Sequence, residues 1–135
     1  MTSVSLSSDY VADTMAIVLH LEHRRSTARV QQIFDEADLG KLKIRIPAIV
    51  LAEVLYLSEK GRIGLSLRDV RDHIAKHPSF SEVPLDIGII SAAAPITDVP
   101  ELHDRLIAST ARFLGLELIT NDPKIRSSAF VQTVW

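Results

Sequence analysis

Residues 102–125, LHDRLIASTARFLGLELITNDPKI, predict a helix that is followed directly by a strand. Apolar residues recur at helical spacing over 101–114, and Gly115 is the residue type that commonly ends a helix. The run 116–120 is short, apolar and bounded by turn residues, as buried strands are. The stretch therefore predicts a helix–strand unit of an α/β fold.

An acidic residue, Asp104, lies on the face of this helix that is predicted to be buried. At 100° per residue, Asp104 shares a face with Ala108 and Ala111, beside Ile107 and Leu114. A helix N-terminus favours an acid, which is one explanation of its position. The polar side of the helix is predicted to carry Arg105, Ser109 and Arg112.

The rest of the chain alternates strands and helices. This alternation predicts an α/β fold of three layers, α/β/α, around a mainly parallel sheet. Residues 1–135 are expected to form one domain, with 1–8 as a loose N-terminal segment. Strands are predicted at 9–13, 42–47, 80–86, 116–120 and 130–135, and helices at 14–25, 27–41, 48–62, 66–77, 87–94 and 101–114.

Composition narrows the class of protein. The net charge of −2 excludes binding of nucleic acid by bulk positive charge, although a local basic patch remains compatible with it. The chain has no Cys, no secretory signal pattern and no apolar run near the ~20 residues of a membrane span. A reducing cytoplasm is the expected location.

Two further acids directly follow predicted strands. Asp13 follows the first strand, and Asp122 follows the strand of the 102–125 unit. Because carboxyl ends of parallel strands meet at one edge of the sheet, Asp13 and Asp122 are predicted to lie on the same edge. Each also precedes a helix or a Pro, so capping is the simpler explanation for either residue alone.

Glu53 is a fourth unusual acid. Its helical neighbours three and four residues away are all apolar or aromatic: Ile49, Val50, Tyr56 and Leu57. A lone ionised carboxylate on such a face would cost several kcal/mol in desolvation. Glu53 is therefore expected to be paired with a structural Arg, to be protonated, or to face a polar cleft that takes a cation.

Together the four acids suggest metal chemistry. Close carboxylates repel one another unless a cation is present. Mg²⁺ and Mn²⁺ prefer oxygen ligands, and such sites support metal-assisted phosphodiester hydrolysis. The pattern therefore indicates a phosphodiesterase site.

The chain resembles PIN-domain ribonucleases, specifically the VapC-type toxins of toxin–antitoxin pairs. The resemblance rests on VADTMA, AEVLYL and HDRLIASTARFLGLELITND, and on the order and spacing of their four acids. It covers nearly all of the chain after the first eight residues. The last of these blocks is the most specific.

The resemblance implies roles for six residues. Asp13, Asp104 and Asp122 would bind Mg²⁺ or Mn²⁺, and Glu53 would complete the acidic cluster as the fourth catalytic residue. Thr14 and Thr120 match supporting positions. Family members often have Ser where this chain has Met15, which removes one polar contact but no acid.

The resemblance also implies partners: an RNA substrate, a cognate antitoxin whose C-terminal segment covers the acids, and a second copy in a homodimer. Cations that could contact RNA phosphates are Arg24, Arg25, Lys60, Arg62, Arg105 and Lys124. Two alternatives stay open: an inactive PIN-like interaction module, and a receiver-like Mg²⁺-binding signalling domain.

Two pairs of His residues have spacings seen in metal sites. His73 and His77 are four residues apart, and His20 and His23 are three apart. Neither pair has an HExxH motif or an evident third ligand, so neither is predicted to bind metal.

Overall fold

The computed structural model describes residues 9–135. The predicted N-terminal segment 1–8 lies outside the described residues. The strands are β1 Asp9–Ala12, β2 Lys43–Pro47, β3 Phe80–Val83, β4 Glu117–Ile119 and β5 Thr133–Val134. The helices are α1 Thr14–Leu21, α2 Ala28–Asp38, α3 Ala48–Glu59, α4 Leu67–Lys76, α5 Ile87–Ala93, α6 Leu102–Leu114 and α7 Pro123–Arg126.

The strands form one sheet in the order β3-β2-β1-β4-β5, and all of its pairings are parallel. In the register, Val11 of β1 lies opposite Arg45 of β2 and Leu118 of β4. The chain first moves from β1 towards β3 and then returns to the other side of β1. This reversal creates a topological switch point between β1 and β4.

Helices flank the sheet, as predicted. Because crossovers between parallel strands are right-handed, the helices between β1 and β3 cover one face, and α5 and α6 cover the other. Helix contacts agree, since α3 packs on α1 and α4, and α5 packs on α6. The buried core includes Val11, Ile44 and Leu118 of the sheet, with Ile17 and Ile107 from helices on either side.

Local signals define several element ends. Ser66 and Asp69 form a reciprocal capping box at the start of α4, as predicted. Gly115 ends α6 with φ 70°, a left-handed conformation that favours Gly. The predicted turn at Asn121–Pro123 instead leads into the short helix α7, which Asp122 caps.

One side of α6 differs from the prediction. Ser109 was assigned to the polar side, but it is fully buried and its hydroxyl donates to the Ile89 carbonyl at 2.5 Å. The cause is α5, which packs over that side of α6 and cannot be inferred from α6 alone. Leu114 is also different, because it lies exposed at the end of the helix.

Within residues 9–135, no helix is both long and apolar enough to cross a membrane.

Candidate active site

The parallel topology brings the strand-end acids together. Asp13 directly follows β1, and Asp122 lies just beyond β4, the neighbouring strand. Helix α6 precedes β4, so it runs antiparallel to the strands and its first turn, with Asp104, lies at the same sheet edge. Three acids therefore meet at the switch point, where ligands bind in open α/β sheets.

Asp13 is both a helix cap and a member of the acidic cluster. Its Oδ1 accepts a hydrogen bond from the Ala16 backbone N–H at 2.8 Å, which caps α1. Its side chain also bonds with the Thr120 hydroxyl. The capping explanation of Asp13 is thus correct, and the cap fixes the carboxylate at the sheet edge.

Asp122 is held in the same way. It caps α7 by accepting from the Lys124 N–H at 2.9 Å, with Pro123 at the first helical position. Its own N–H donates to Thr120 Oγ1 at 3.1 Å. Because the buried Thr120 hydroxyl contacts both Asp13 and the backbone of Asp122, it fixes the two acids relative to each other.

Asp104 lies in the first turn of α6 and is partly buried. Glu101 is the N-cap, and its carboxylate accepts from the Asp104 N–H at 2.8 Å. The Asp104 side chain shares a hydrogen bond with Asp122. Ile107, Ala108 and Ala111 are buried, which confirms that Asp104 begins the inward-facing stripe.

Glu53 faces the cleft from α3. Thr14 Oγ1 donates a hydrogen bond to Glu53 Oε1, which links α1 to α3. The imidazole of His103 lies 3.9 Å from the other carboxylate oxygen. The Glu53 side chain is 28% exposed, so its apolar neighbours form a cleft wall rather than a closed core. Within residues 9–135, Glu53 contacts Thr14 and His103 and pairs with no Arg.

Burial and the charges of neighbouring acids raise the pKa values of two of the carboxyl groups. Burial raises the pKa of Asp13 to about 6, and the charges of Asp122 and Glu53 add to this rise. Burial also raises the pKa of Asp104 to about 6, with further contributions from Asp122 and Glu101. The site therefore holds negative charge that its own hydrogen bonds do not fully balance.

The acids line an open cleft of about 950 Å³. Several other residues also line this cleft. Two are aromatic, Tyr56 and Trp135, and two are polar, His103 and Asn121. Trp135 reaches the cleft from the chain end beyond β5, a position that no local pattern indicates.

The donor set suits a hard divalent cation. Carboxylate oxygens are the ligands that Mg²⁺ and Mn²⁺ prefer, and the open cleft leaves room for the waters that Mg²⁺ retains. A bound cation would also offset the burial and the repulsion between acids that raise the pKa values of Asp13 and Asp104. The residues present therefore fit such an ion.

Two of the expected RNA-contacting cations have structural partners. The Arg105 guanidinium donates to the carbonyls of Ala93 and Ala94 at 2.9 and 2.8 Å, which fixes the end of α5. Arg24 contacts Glu22 at 3.1 Å. Neither is positioned as a free cation of the cleft.

The fold and the convergent carboxylates define a class of α/β protein with an acidic site at the switch point of a parallel sheet. The PIN domain family model matches residues 10–131, so the chain belongs to the PIN domain family. This confirms the family predicted from the sequence motifs. No curated protein sequence matches the chain.

Solved structures share the fold. A chain in the structure of VapBC2 from Rickettsia felis, bound to a promoter DNA fragment, aligns with TM-score 0.69 and 17% identity, covering 94% of this chain and 98% of that one. DNA-bound VapBC from Salmonella typhimurium aligns with TM-score 0.68 and 17% identity, covering 94% of this chain and 97% of that one. FitAcB from Neisseria gonorrhoeae aligns with TM-score 0.69 and 21% identity, covering 93% of this chain and 96% of that one.

Proposed function

We propose that this protein is a metal-dependent endoribonuclease that hydrolyses RNA phosphodiester bonds as the toxin of a toxin–antitoxin pair. The observation that carries the proposal is the convergence of four carboxylates in one open cleft of a PIN domain. The structural neighbours are VapBC and FitAcB assemblies, which supports the toxin context. A cytoplasmic location is part of the proposal.

Each acid has a proposed role. Asp13, Asp104 and Asp122 hold Mg²⁺ or Mn²⁺, directly or through water. Glu53, fixed by Thr14, orients the attacking water from the opposite wall of the cleft. When bound, the ion would lower the pKa of that water and stabilise the charge that develops on the phosphate.

The supporting residues act through geometry. Thr120 keeps Asp13 and Asp122 in a fixed arrangement, which matters because misplaced ligands reduce catalysis steeply. Tyr56 and Trp135 present ring surface in the cleft, and aromatic rings stack on bases of single-stranded RNA without sequence preference. They are proposed to hold the nucleotides that flank the scissile bond.

Two partners belong to the proposal besides RNA. A cognate antitoxin would inhibit the enzyme by placing a basic segment over the acids, because a guanidinium can replace the charge of the metal. A homodimer is supported by exposed apolar side chains on α5 and α6.

The test is cleavage of structured RNAs by wild type and Asp104→Asn, with Mg²⁺, with Mn²⁺ and with chelator. We expect the variant to lose at least ~100-fold in rate, because a metal ligand contributes several kcal/mol to the transition state. Asp35→Asn, an exposed acid on α2, is the matched control and should cleave normally. Equal cleavage by wild type and Asp104→Asn would refute the proposed mechanism.

Metal titration separates the enzyme from an inactive interaction module. Calorimetry with Mn²⁺ should show binding to the wild type and weaker binding to Asp104→Asn. Absence of binding at millimolar Mn²⁺ would favour the module. Membership of the PIN family already argues against the receiver-like signalling domain.

A further inference from the structure

A second cluster of possible metal ligands lies outside the acidic cleft. His20 is in the last turn of α1, Asp38 is the last residue of α2, and His73 is on α4. One ligand atom from each lies within 4.8 Å of the other two. None of the three is among the described residues that line the cleft.

Both imidazoles direct the same nitrogen at one carboxylate. His20 Nε2 is 2.9 Å from Asp38 Oδ2, and His73 Nε2 is 3.1 Å from Asp38 Oδ1. The two rings lie edge to face, with centroids 6.0 Å apart. Two nitrogens and a carboxylate thus converge on a small space between three helices.

Aromatic packing holds the rings in this orientation. His20 stacks on the buried Phe34 at 4.5 Å between centroids. His73 stacks on His77 at 3.9 Å and meets the edge of Phe80 at 4.9 Å. Since these contacts fix the rings from the apolar side, the ligand atoms are positioned before any ion binds.

The donor set is that of a zinc-type ion rather than of Mg²⁺. Imidazole nitrogen with one carboxylate suits Zn²⁺ and similar transition metals, whereas Mg²⁺ takes oxygen ligands. Zn²⁺ bonds of about 2.0–2.2 Å place neighbouring ligand atoms a little more than 3 Å apart, and the two nitrogen–oxygen separations here are 2.9 and 3.1 Å. Binding requires that the Nε2 atoms carry no proton, because a protonated ring nitrogen has no lone pair for the ion.

Access also suits an ion. The side chains of His20, His73 and Asp38 are 10%, 19% and 29% exposed, so the carboxylate side faces water. Three protein ligands would leave a fourth tetrahedral position for a water molecule. His77 is not part of the set, because its Nδ1 bonds with the His73 carbonyl at 3.0 Å.

We propose that His20, Asp38 and His73 form a binding site for a divalent transition-metal ion of the zinc type. Each imidazole would bind the ion through an unprotonated Nε2 and keep one proton on Nδ1, with any second proton released to water, and the ion would tie α1, α2 and α4 together. Since α1 begins next to Asp13, the site braces the helix that supports one acid of the cleft from its far end. This site is separate from the proposed nuclease site.

Binding of Co²⁺ to the chelator-treated full chain tests the site, because tetrahedral Co²⁺ absorbs visible light far more strongly than Co²⁺ in an octahedral oxygen site. We expect one equivalent of Co²⁺ to give intense visible bands that Zn²⁺ abolishes by displacement. Zn²⁺ should also raise the Tm, since a ligand that binds only the folded state stabilises it.

Substitutions identify which residues bind the metal ion. His73→Asn and Asp38→Asn should each lose the intense bands and keep only the part of the Zn²⁺-induced rise in Tm that the acidic cleft contributes. Asp104→Asn should keep the intense bands, because it alters only the cleft. His23→Asn is the matched control: His23 is exposed near His20, and Asn tolerates its φ of 55°.

Two results would overturn the proposal: intense bands that persist in both His73→Asn and Asp38→Asn, or no intense bands in the wild type. Two independent ligand variants are used so that poor folding of one does not decide the outcome. The Tm of each without metal and its circular dichroism spectrum identify a folding defect.

Discussion

At the scale of single residues, two acids of the cleft cap helices and also repel other acids. Asp13 and Asp122 each satisfy a helix N-terminus, yet both carboxylates are crowded with other acids. The same residues thus stabilise local structure through hydrogen bonds and destabilise it through charge repulsion. Such a conflict is common at functional sites, where activity is favoured over stability.

The Asp13→Asn substitution isolates the effect of the ionised Asp13 carboxylate on stability. The pKa of Asp13 is raised to about 6 in the folded state, so the folded protein holds this proton more tightly than the unfolded chain. Its contribution to stability is therefore lost as pH rises from about 4 to about 6. Asn is as good an N-cap as Asp. Without metal at pH 7, the free energy of unfolding of the variant should therefore exceed that of the wild type by roughly 1–3 kcal/mol.

Urea unfolding at about pH 4 and about pH 7 measures this effect, and the gain should vanish at the lower pH. Asp86→Asn is the control, since Asp86 caps α5 through the Ile89 N–H at 3.0 Å but is exposed and outside the cleft. If the two variants behave alike at pH 7, the cost assigned to the buried, charged carboxylate of Asp13 is wrong.

Thr120→Val tests the hydroxyl that connects two acids. The change keeps the shape of a fully buried side chain but removes the contacts with Asp13 and the Asp122 N–H. We expect a loss of about 1–3 kcal/mol in unfolding free energy and weaker Mn²⁺ binding by calorimetry.

Thr110→Val is its matched control. Thr110 is equally buried, but its hydroxyl bonds within its own helix to the Leu106 carbonyl at 2.8 Å. Its Mn²⁺ affinity should stay at the wild-type value. A comparable loss of Mn²⁺ affinity in both variants would show that the effect is general destabilisation.

At the scale of elements, the α6–β4 unit depends on its sharp end at Gly115. The φ of 70° requires a left-handed residue, while a Cβ added there meets no atom within 4 Å. Gly115→Ala should therefore cost about 1 kcal/mol through backbone strain alone.

Gly115→Asn should cost less, because Asn adopts the left-handed conformation more readily than Ala. Thermal unfolding of both variants beside the wild type gives the comparison. An Asn variant that is less stable than the Ala variant would indicate a steric effect instead.

At the scale of the whole molecule, an exposed apolar surface formed by Ile87, Ile90 and Phe113 lies on the α5–α6 layer. Ile87 and Phe113 are 77% and 52% exposed, and the Phe113 ring packs over Gly88, which joins the two helices into one surface. Contiguous apolar surface of this kind marks interaction sites. We propose it as the homodimer interface.

Ile90→Asp should shift the protein to monomer in sedimentation equilibrium, because a charge would be buried in an apolar contact. Leu39→Asp is the control: Leu39 is 70% exposed, against 47% for Ile90, but it lies at the end of α2, on the other face of the sheet. An Ile90→Asp protein that associates like the wild type would place any dimer interface elsewhere.

Much of the fold was predictable because its signals are local. Helical periodicity, the Ser66 cap and the Gly115 stop depend on residues close in sequence, and each is found as expected. The parallel sheet followed from the alternation of elements. That arrangement placed Asp13 and Asp122 at one edge before any contact was known.

The remaining features depend on contacts between distant segments. Ser109 is buried only because α5 covers it, and Trp135 enters the cleft only because β5 pairs with β4. The members of each His pair are neighbours in sequence, but the structure combines one member of each pair with Asp38 from a third helix.

The sequence by itself determined the helices and strands, the three-layer arrangement around a parallel sheet, and the four unusual acids. These follow from short-range periodicity and from the cost of burying charge. Tertiary structure alone decided which hydroxyl connects the acids, which aromatic rings reach the cleft, and that His20, Asp38 and His73 meet. The physical reason is that these contacts arise from packing between helices and strands, whose geometry no single segment encodes.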